Sequence, residues 1–356
     1  MDFARRQSAG LQGEEYALQI QREQEEAARR ERAEAAQREQ EEEAQRERGE
    51  VVFRDKNLKA LLHENLEKPE GPLTQEDLKS LEELVADNAG IEDLTGLEAA
   101  VNLTRLSLSR NQISDITPLA SITDLTWLDL SSNQIGDITQ LACITDLTRL
   151  HLYNNQISDV SPLASLARLT TLDLSDNRLS DVSPLASLTN LRTLWLGRNQ
   201  ISDVSPLASL TNLTSLWLYG NQISDVSPLA SLTNLTDLVL EENQISDIGP
   251  LASLTNLTEL TLSHNKISDI TPLAALGELT ELKLASNQIK DITPLVALGT
   301  LTDIHLERNQ ISDIGPLASR TNLRRLYLEK NPLSQESTDI QRNMRGLSTR
   351  RRGRPF

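Results

Sequence analysis

The chain has 356 residues, 38% hydrophobic but only 3% aromatic, with a formal net charge of -17 and an isoelectric point near 4.8. That balance disfavours nucleic acid or an anionic membrane as the main partner, since phosphate recognition needs a basic surface, and it leaves a core to be built from Leu and Ile. A single cysteine, Cys143, excludes an intramolecular disulfide framework and fits a reducing compartment.

Residues 1–50 form a charged extension. Its start, MDFARRQSAGLQGEEYALQI, lacks both the apolar core of about 7–15 residues and the cleavage site of a secretory signal, and nowhere do about 18 apolar residues run together. The expectation is a soluble, cytoplasmic protein with no transmembrane segment. From Glu14 to Arg48 there are 12 Glu and 7 Arg among Ala and Gln. These are good helix formers, but large apolar residues cease after Ile20, so no a/d seam runs through the segment. A free helix, a disordered extension and a coiled-coil arm all fit that pattern.

From 103 to 333 the sequence repeats every 22 residues, in eleven copies. Asn111, Asn133, Asn155, Asn177, Asn199, Asn221, Asn243, Asn265, Asn287, Asn309 and Asn331 mark the period without a slip. Each copy begins L-x-x-L-x-L-x-x-N-x-[IL], as in Leu213, Leu216, Leu218, Asn221 and Ile223. The alternating Leu describe a short strand with one buried face, and the Asn column a ladder that satisfies backbone groups of neighbouring turns. The second half, S-D-[IV]-[STG]-P-L-A-x-[LI], returns the chain. Ser or Thr before Pro, as in Ser227 and Pro228, reads as a helix cap followed by Pro at the first helical position, so a single turn of α- or 3₁₀-helix is expected there. Only Gln140 interrupts the Pro series between Pro118 and Pro316. Ile223, Val226, Leu229, Leu232 and Leu235 are expected to close the core. The Asp column from Asp115 to Asp313 suits local turn hydrogen bonding better than a stacked metal site. The Asn-Leu-Thr sequons at Asn102, Asn212, Asn234 and Asn256 are repeat consensus.

With 22-residue copies ending D-[IV]-x-P-L, this array resembles the short leucine-rich repeats of bacterial internalins and of the eukaryotic Sds22-like phosphatase regulators, over roughly residues 51–347. The resemblance implies an α/β fold. It would be a leucine-rich-repeat solenoid, a right-handed horseshoe with a parallel β-sheet on the concave face and short helical or 3₁₀ turns on the convex face. The segment from Val52 to Leu58, with "GPLTQEDLKSLEEL" and "IEDLTGLEAAVNL", then looks like a helical N-terminal cap and degenerate first repeat spanning 51–102, where Ala89 replaces the ladder Asn. Residues 334–347 look like a C-terminal cap with a helix from about Gln335 to Met344. The basic tail, 348–356, ends RRRGRPF and reads as a solvated tail or as a contact for nucleic acid or acidic lipid. On this reading the chain is expected to differ from internalins in having no secretion signal and no wall-anchoring tail.

Equivalent residues of adjacent copies should lie ~4.8 Å apart, so every outward strand position becomes a column on the sheet face. One column holds His151, Trp195, Trp217, His305 and Tyr327; the next holds Tyr153, Tyr219, Glu241 and Glu307; Trp127 lies in the third. All three Trp therefore share one surface, the make-up of a binding hot spot, unless they serve only as good strand residues. Asp237, Glu241, Glu242, Glu259, Glu281, Asp303 and Glu307 make the other half acidic. The expected partner is a protein or peptide with a basic segment next to an apolar anchor. Asp129, His151 and Ser175 supply triad residue types, and Asp129, His151 and Asp173 metal-ligand types, but an open sheet gives them no oxyanion hole or enclosing pocket. The reading is a monomeric, non-enzymatic protein-binding module without cofactor or metal. It is either a cytoplasmic adaptor or regulator, or an exported internalin-like adhesion or effector protein reaching the surface without a cleaved signal peptide.

Overall fold

The computed structural model describes residues 2–344; the basic tail and the last residues of the expected C-terminal cap lie outside the described residues. Twelve three-residue strands build one parallel sheet in chain order. They are β1 (Glu83–Val85), β2 (Arg105–Ser107), β3 (Trp127–Asp129), β4 (Arg149–His151), β5 (Thr171–Asp173), β6 (Thr193–Trp195), β7 (Ser215–Trp217), β8 (Asp237–Val239), β9 (Glu259–Thr261), β10 (Glu281–Lys283), β11 (Asp303–His305) and β12 (Arg325–Tyr327). Every pair is in register at a sequence offset of 22, so Leu216 faces Leu194 on one side and Leu238 on the other. Eleven 3₁₀ turns, from Leu97–Ala99 to Gly315–Leu317, carry the chain back across the opposite side. The fold is a leucine-rich-repeat solenoid.

The core is one continuous stack. In the copy around β7, Leu213, Leu216, Leu218, Ile223, Val226, Leu229 and Leu232 are each at most 1% exposed. Burying such a side chain contributes ~1.5–3 kcal/mol, and here each is covered by the equivalent residues of the flanking copies, so no copy is stable alone. Polar groups between the layers are tied by the Asn ladder. Asn221 Nδ2 donates to the carbonyls of Leu196 and Leu218, both at 3.0 Å, and to Tyr219 O at 3.3 Å. Its Oδ1 accepts from Ile201 N at 3.0 Å.

The return turns differ from the sequence reading in one respect. The Ser or Thr before each Pro does not cap the 3₁₀ turn with its side chain. That work falls to the Asp two residues earlier, as when Asp225 Oδ1 accepts from Ser227 N at 2.8 Å and, in the copy with Gln140 in place of Pro, Asp137 Oδ1 from Thr139 N at 2.9 Å. Ser227 is already inside the turn, where its hydroxyl cannot reach the first free N–H groups, whereas an Asp just outside forms an Asx-type bond. The Thr139 hydroxyl and then its N–H hold the Asp137 carboxyl below its ordinary range. Asn212 Nδ2 donates to Thr189 O at 2.8 Å, one copy back, which gives the Asn-Leu-Thr motif a structural role.

A second feature escapes the consensus. The residue before each ladder Asn is left-handed, with φ between 51° and 65° from Arg110 to Lys330, and only Gly220 among them is a glycine. A lone left-handed residue costs ~1–2 kcal/mol in an L-amino acid. The turn tolerates it because the backbone bonds on both sides are fixed, as in Arg198 N to Tyr219 O.

Ahead of the array, Asp2–Glu47 is one α-helix (α1), followed by α2 (Lys56–Asn65) and α3 (Gln75–Lys79). Glu42 of α1 is only 8% exposed and takes a two-point ion pair from Arg54, both contacts at 3.0 Å. Asp55 caps α2 through Asn57 N and Leu58 N, while its other oxygen accepts from Glu92 N at 2.7 Å. Burial opposes its ionisation, yet these backbone donors hold its carboxyl below the ordinary 3.8. A depressed carboxyl adds stability above the unfolded value that is lost as pH falls through the folded one. Asp55→Ala should therefore cost ~1–2 kcal/mol near neutrality and less below about pH 3, as read by denaturant midpoints at the two conditions.

At the far end, α4 (Gln335–Asn343) is capped by Ser334 and covers the last layer with Leu333, Ile340 and Met344. Ser337 Oγ, fully buried, accepts from Ile314 N at 3.0 Å and so takes up a backbone donor left by the end of the stack.

Candidate partner-binding face

Each strand puts its middle residue into the core and its flanking residues outward, so the open face carries the three columns expected from the alternation. Trp195 and Trp217, on adjacent strands of one column, stack at 4.9 Å between ring centroids. His151 lies between Trp195 (6.5 Å) and Trp127 (6.2 Å), and the Arg105 guanidinium sits 4.8 Å from the Trp127 ring centre. The result is a row of ring contacts from β3 to β7, about 19 Å at the usual strand spacing, in which His151 and Trp195 meet across β5, which supplies no ring. Trp217 Nε1 donates to Asp237 Oδ2 at 2.6 Å, and Ser215 Oγ donates to the same oxygen at 2.8 Å. Trp195 Nε1 is buried and has no hydrogen-bond partner among the described residues.

Beside this row, the Tyr219 ring folds back over Gly197, where a Cβ would stand 2.1 Å from its Cε1. Burial, and next the carboxylate of Asp176, push the Tyr219 hydroxyl above its ordinary range. Tyr153, 39% exposed, is the most open aromatic of the face.

From β8 onward the face turns acidic, but its carboxylates are not equivalent. Lys283 Nζ meets Glu281 Oε1 at 2.8 Å, Arg325 Nε meets Asp303 Oδ1 at 2.5 Å, and His305 Nδ1 lies 3.7 Å from Glu307 Oε1. Glu259 and Glu241 have no such partner among the described residues. Desolvation, then the neighbouring charges of Glu281 and Asp237, push the Glu259 carboxyl above its ordinary 4.5.

A family model for leucine-rich repeats in pairs of copies matches the chain in overlapping segments from residue 101 to 297, more than half its length. A crystal structure of an internalin, InlF of Listeria monocytogenes, is 40% identical, with a TM-score of 0.81 over 84% of this chain and 88% of that one. The chain belongs to the internalin-like leucine-rich repeat family. Internalin C2 of the same organism is 38% identical (TM-score 0.54; 66% of this chain, 95% of that one). A leucine-rich repeat protein of Leptospira interrogans, LIC12759, is 28% identical (TM-score 0.73; 77% and 73%). No curated protein matches the chain.

In this leucine-rich repeat protein the structure groups Trp127, His151, Trp195 and Trp217 in one row, with Tyr153 and Tyr219 beside it. Several other expected residues are placed differently. Tyr327 is only 7% exposed because it packs on His305 at 4.5 Å, and Asp303 is 6% exposed beneath Arg325. Glu242 is exposed but sits in the left-handed turn position before Asn243, outside the strand columns. The three Trp are half-buried rather than open, Trp195 and Trp217 by each other and Trp127 beside His151 and Arg105. Asp129 and Asp173 accept from Ser131 N and Ser175 N in their own turns, and His151 stands between Trp rings.

Two residues not singled out from the sequence shape the face. Gly197 was visible as the one glycine in its column, and a strand glycine marks a close approach. Gly197→Ala should displace the Tyr219 ring, costing ~1–3 kcal/mol by overpacking and shifting tyrosine fluorescence and the Tyr219 ring signals in NMR. Lys283 breaks the acidic half by pairing with Glu281. For Glu259, the raised value means the folded state holds its proton more tightly than the unfolded chain. Its contribution is therefore greatest below 4.5 and is lost as pH rises through the folded value. Glu259→Gln should raise the melting temperature at about pH 7 and leave it unchanged at about pH 3.

Proposed function

We propose that this protein is a non-enzymatic protein-interaction module that takes a protein or peptide on the open face of its sheet. The observation that carries the reading is the row of Trp side chains outside the core. The core is filled by Leu, Ile and Val in every copy and has no use for Trp, while the face concentrates all three. Half-buried aromatic anchors on a rigid sheet are suited to binding, because little side-chain freedom remains to be lost. The unpartnered Trp195 Nε1 supports the same reading, as a donor with no use in the free protein. An apolar anchor of the partner would sit on Trp195 and Trp217, and a Lys- or Arg-rich segment beside it would lie against Glu241 and Glu259.

The likeness to Listeria internalins favours an exported adhesion or effector protein over a cytoplasmic adaptor. No helix among the described residues is long and apolar enough to cross a membrane. Cell fractionation of the producing organism separates these readings: recovery at the surface or in the medium supports the first. The binding reading is tested by affinity capture with the whole chain, followed by the same capture with Trp195→Ala/Trp217→Ala. An unchanged set of bound proteins would refute it.

A further inference from the structure

The acidic half of the face carries more fixed negative charge than its own cations neutralise. Lys283 and Arg325 answer Glu281 and Asp303, while Asp237, Glu241 and Glu259 face the same surface. Asp237 already accepts two hydrogen bonds, but from neutral donors, so its charge stays uncompensated. Desolvation first, and then this crowding by Glu281 and Asp237, keep the Glu259 carboxyl raised. It is a surface that lacks a counter-charge.

The same chain contains a segment of the complementary chemistry. Residues 345–356 read RGLSTRRRGRPF, with Arg at 345, 350, 351, 352 and 354, no acidic residue, and Pro355 and Phe356 after the last Arg. In a chain of net charge -17 this is the strongest local concentration of positive charge. It follows directly on α4, whose Gln341 and Arg342 share a groove with Leu328, Glu329 and Lys330. The chain thus leaves α4 beside the turn that closes β12, at the end of the acidic strands. From β12 to β7 is five strand steps, about 24 Å at ~4.8 Å each. Twelve extended residues reach up to ~40 Å, a length sufficient to carry an Arg run across β11 to β8 and a terminal ring to the Trp217 platform.

We infer that residues 350–356 dock on the acidic half of the sheet face of their own chain, with the Arg run against Glu241 and Glu259 and Phe356 at the edge of Trp217. The tail then occupies the surface that an external basic, apolar-anchored segment would use, and its displacement becomes a step in any such binding. Electrostatic docking of an exposed segment is weak and salt-sensitive, which suits an occupant that a better ligand replaces. The inference needs no external partner and stands or falls apart from the proposed function.

The test uses the full chain, with Gly353→Cys carrying a nitroxide in a Cys143→Ser background, and reads the three Trp indole N–H signals by NMR. Docking within the chain predicts that the Trp217 signal loses most of its intensity and Trp127 the least. A mixture of nitroxide-bearing, isotopically silent copies with label-free, ¹⁵N-labelled copies should show no loss. Glu241→Lys/Glu259→Lys should restore the Trp217 signal, with circular dichroism checking that the variant is folded. Salt at about 1 M, where the Debye length is about 3 Å, should do the same without any substitution. Loss in the mixture as well would mean that a second copy supplies the tail, and would overturn the inference. So would equal loss at all three Trp, no loss at all, or a loss that survives both the charge reversal and the salt.

Discussion

Asn221→Ala is expected to lower the unfolding free energy by about 3–5 kcal/mol, several times the effect of an ordinary surface substitution. The side chain is 8% exposed and makes four hydrogen bonds at once, three to carbonyls and one from Ile201 N. Ala removes all four and leaves their backbone partners buried between two copies, at ~1–3 kcal/mol for each group that water cannot reach. Asn221→Asp should be at least as damaging, because a carboxylate cannot donate to Leu196 O, Leu218 O or Tyr219 O. Asn331 makes a similar set of bonds but is partly exposed, so Asn331→Ala should cost clearly less. Urea denaturation of the three variants checks this ordering. Equal midpoints for Asn221→Ala and Asn331→Ala would show that burial of the freed backbone groups is not what sets the cost.

For binding, the largest single effect should come from Trp217. Trp217→Ala is expected to weaken partner affinity by about 30-fold or more, the ~2 kcal/mol of a hot-spot residue. The substitution removes one ring of the Trp195–Trp217 stack, uncovers Trp195 and deprives Asp237 of its indole donor. Trp217→Phe keeps a ring but not the N–H and should fall between the two. Trp127→Ala, at the edge of the row, should cost less than Trp217→Ala. Since Leu216 and Leu218 remain buried beneath, the melting temperature should move little, which separates lost contact from lost fold. Titration calorimetry with the captured partner measures all three variants. A Trp217→Ala protein that binds as tightly as the parent would move the contact surface away from this row.

The solenoid was legible because its cause is repeated. A Leu that must face inward and an Asn that must bond across copies recur at every twenty-second position, so one rule read once applies to the whole array. The columns of the open face were legible for the same reason, since alternation along Ser215, Leu216 and Trp217 fixes which side each occupies. What alternation cannot give is how far a side chain leans. Trp195 covers its neighbours, Tyr219 lies down on Gly197, and Tyr327 withdraws against His305, because large rings cover surface along the sheet rather than standing off it. Ion pairing was equally out of reach: Lys283 shares a strand with Glu281 and Arg325 stands one strand from Asp303, but only geometry shows which acids they hold. The left-handed position was hidden by its composition. Arg110, Ser132, Asp176 and Glu242 share no property except the backbone they are forced to adopt. The Ser or Thr before Pro misled because it has the chemistry of a cap, one position too late to act as one.

The uniform register has a consequence for how such a surface changes over evolutionary time. Because each copy bonds only to its neighbours and at one fixed offset, a duplication or deletion of 22 residues leaves every ladder intact. Distances on the face are therefore quantised. Inserting one copy between those bearing Trp217 and Glu259 would move the aromatic and acidic halves apart by about 4.8 Å without touching either, and deleting one would bring them together by the same step. A protein built this way can search for the spacing of a partner's features by counting copies, while its side chains specify which features they are.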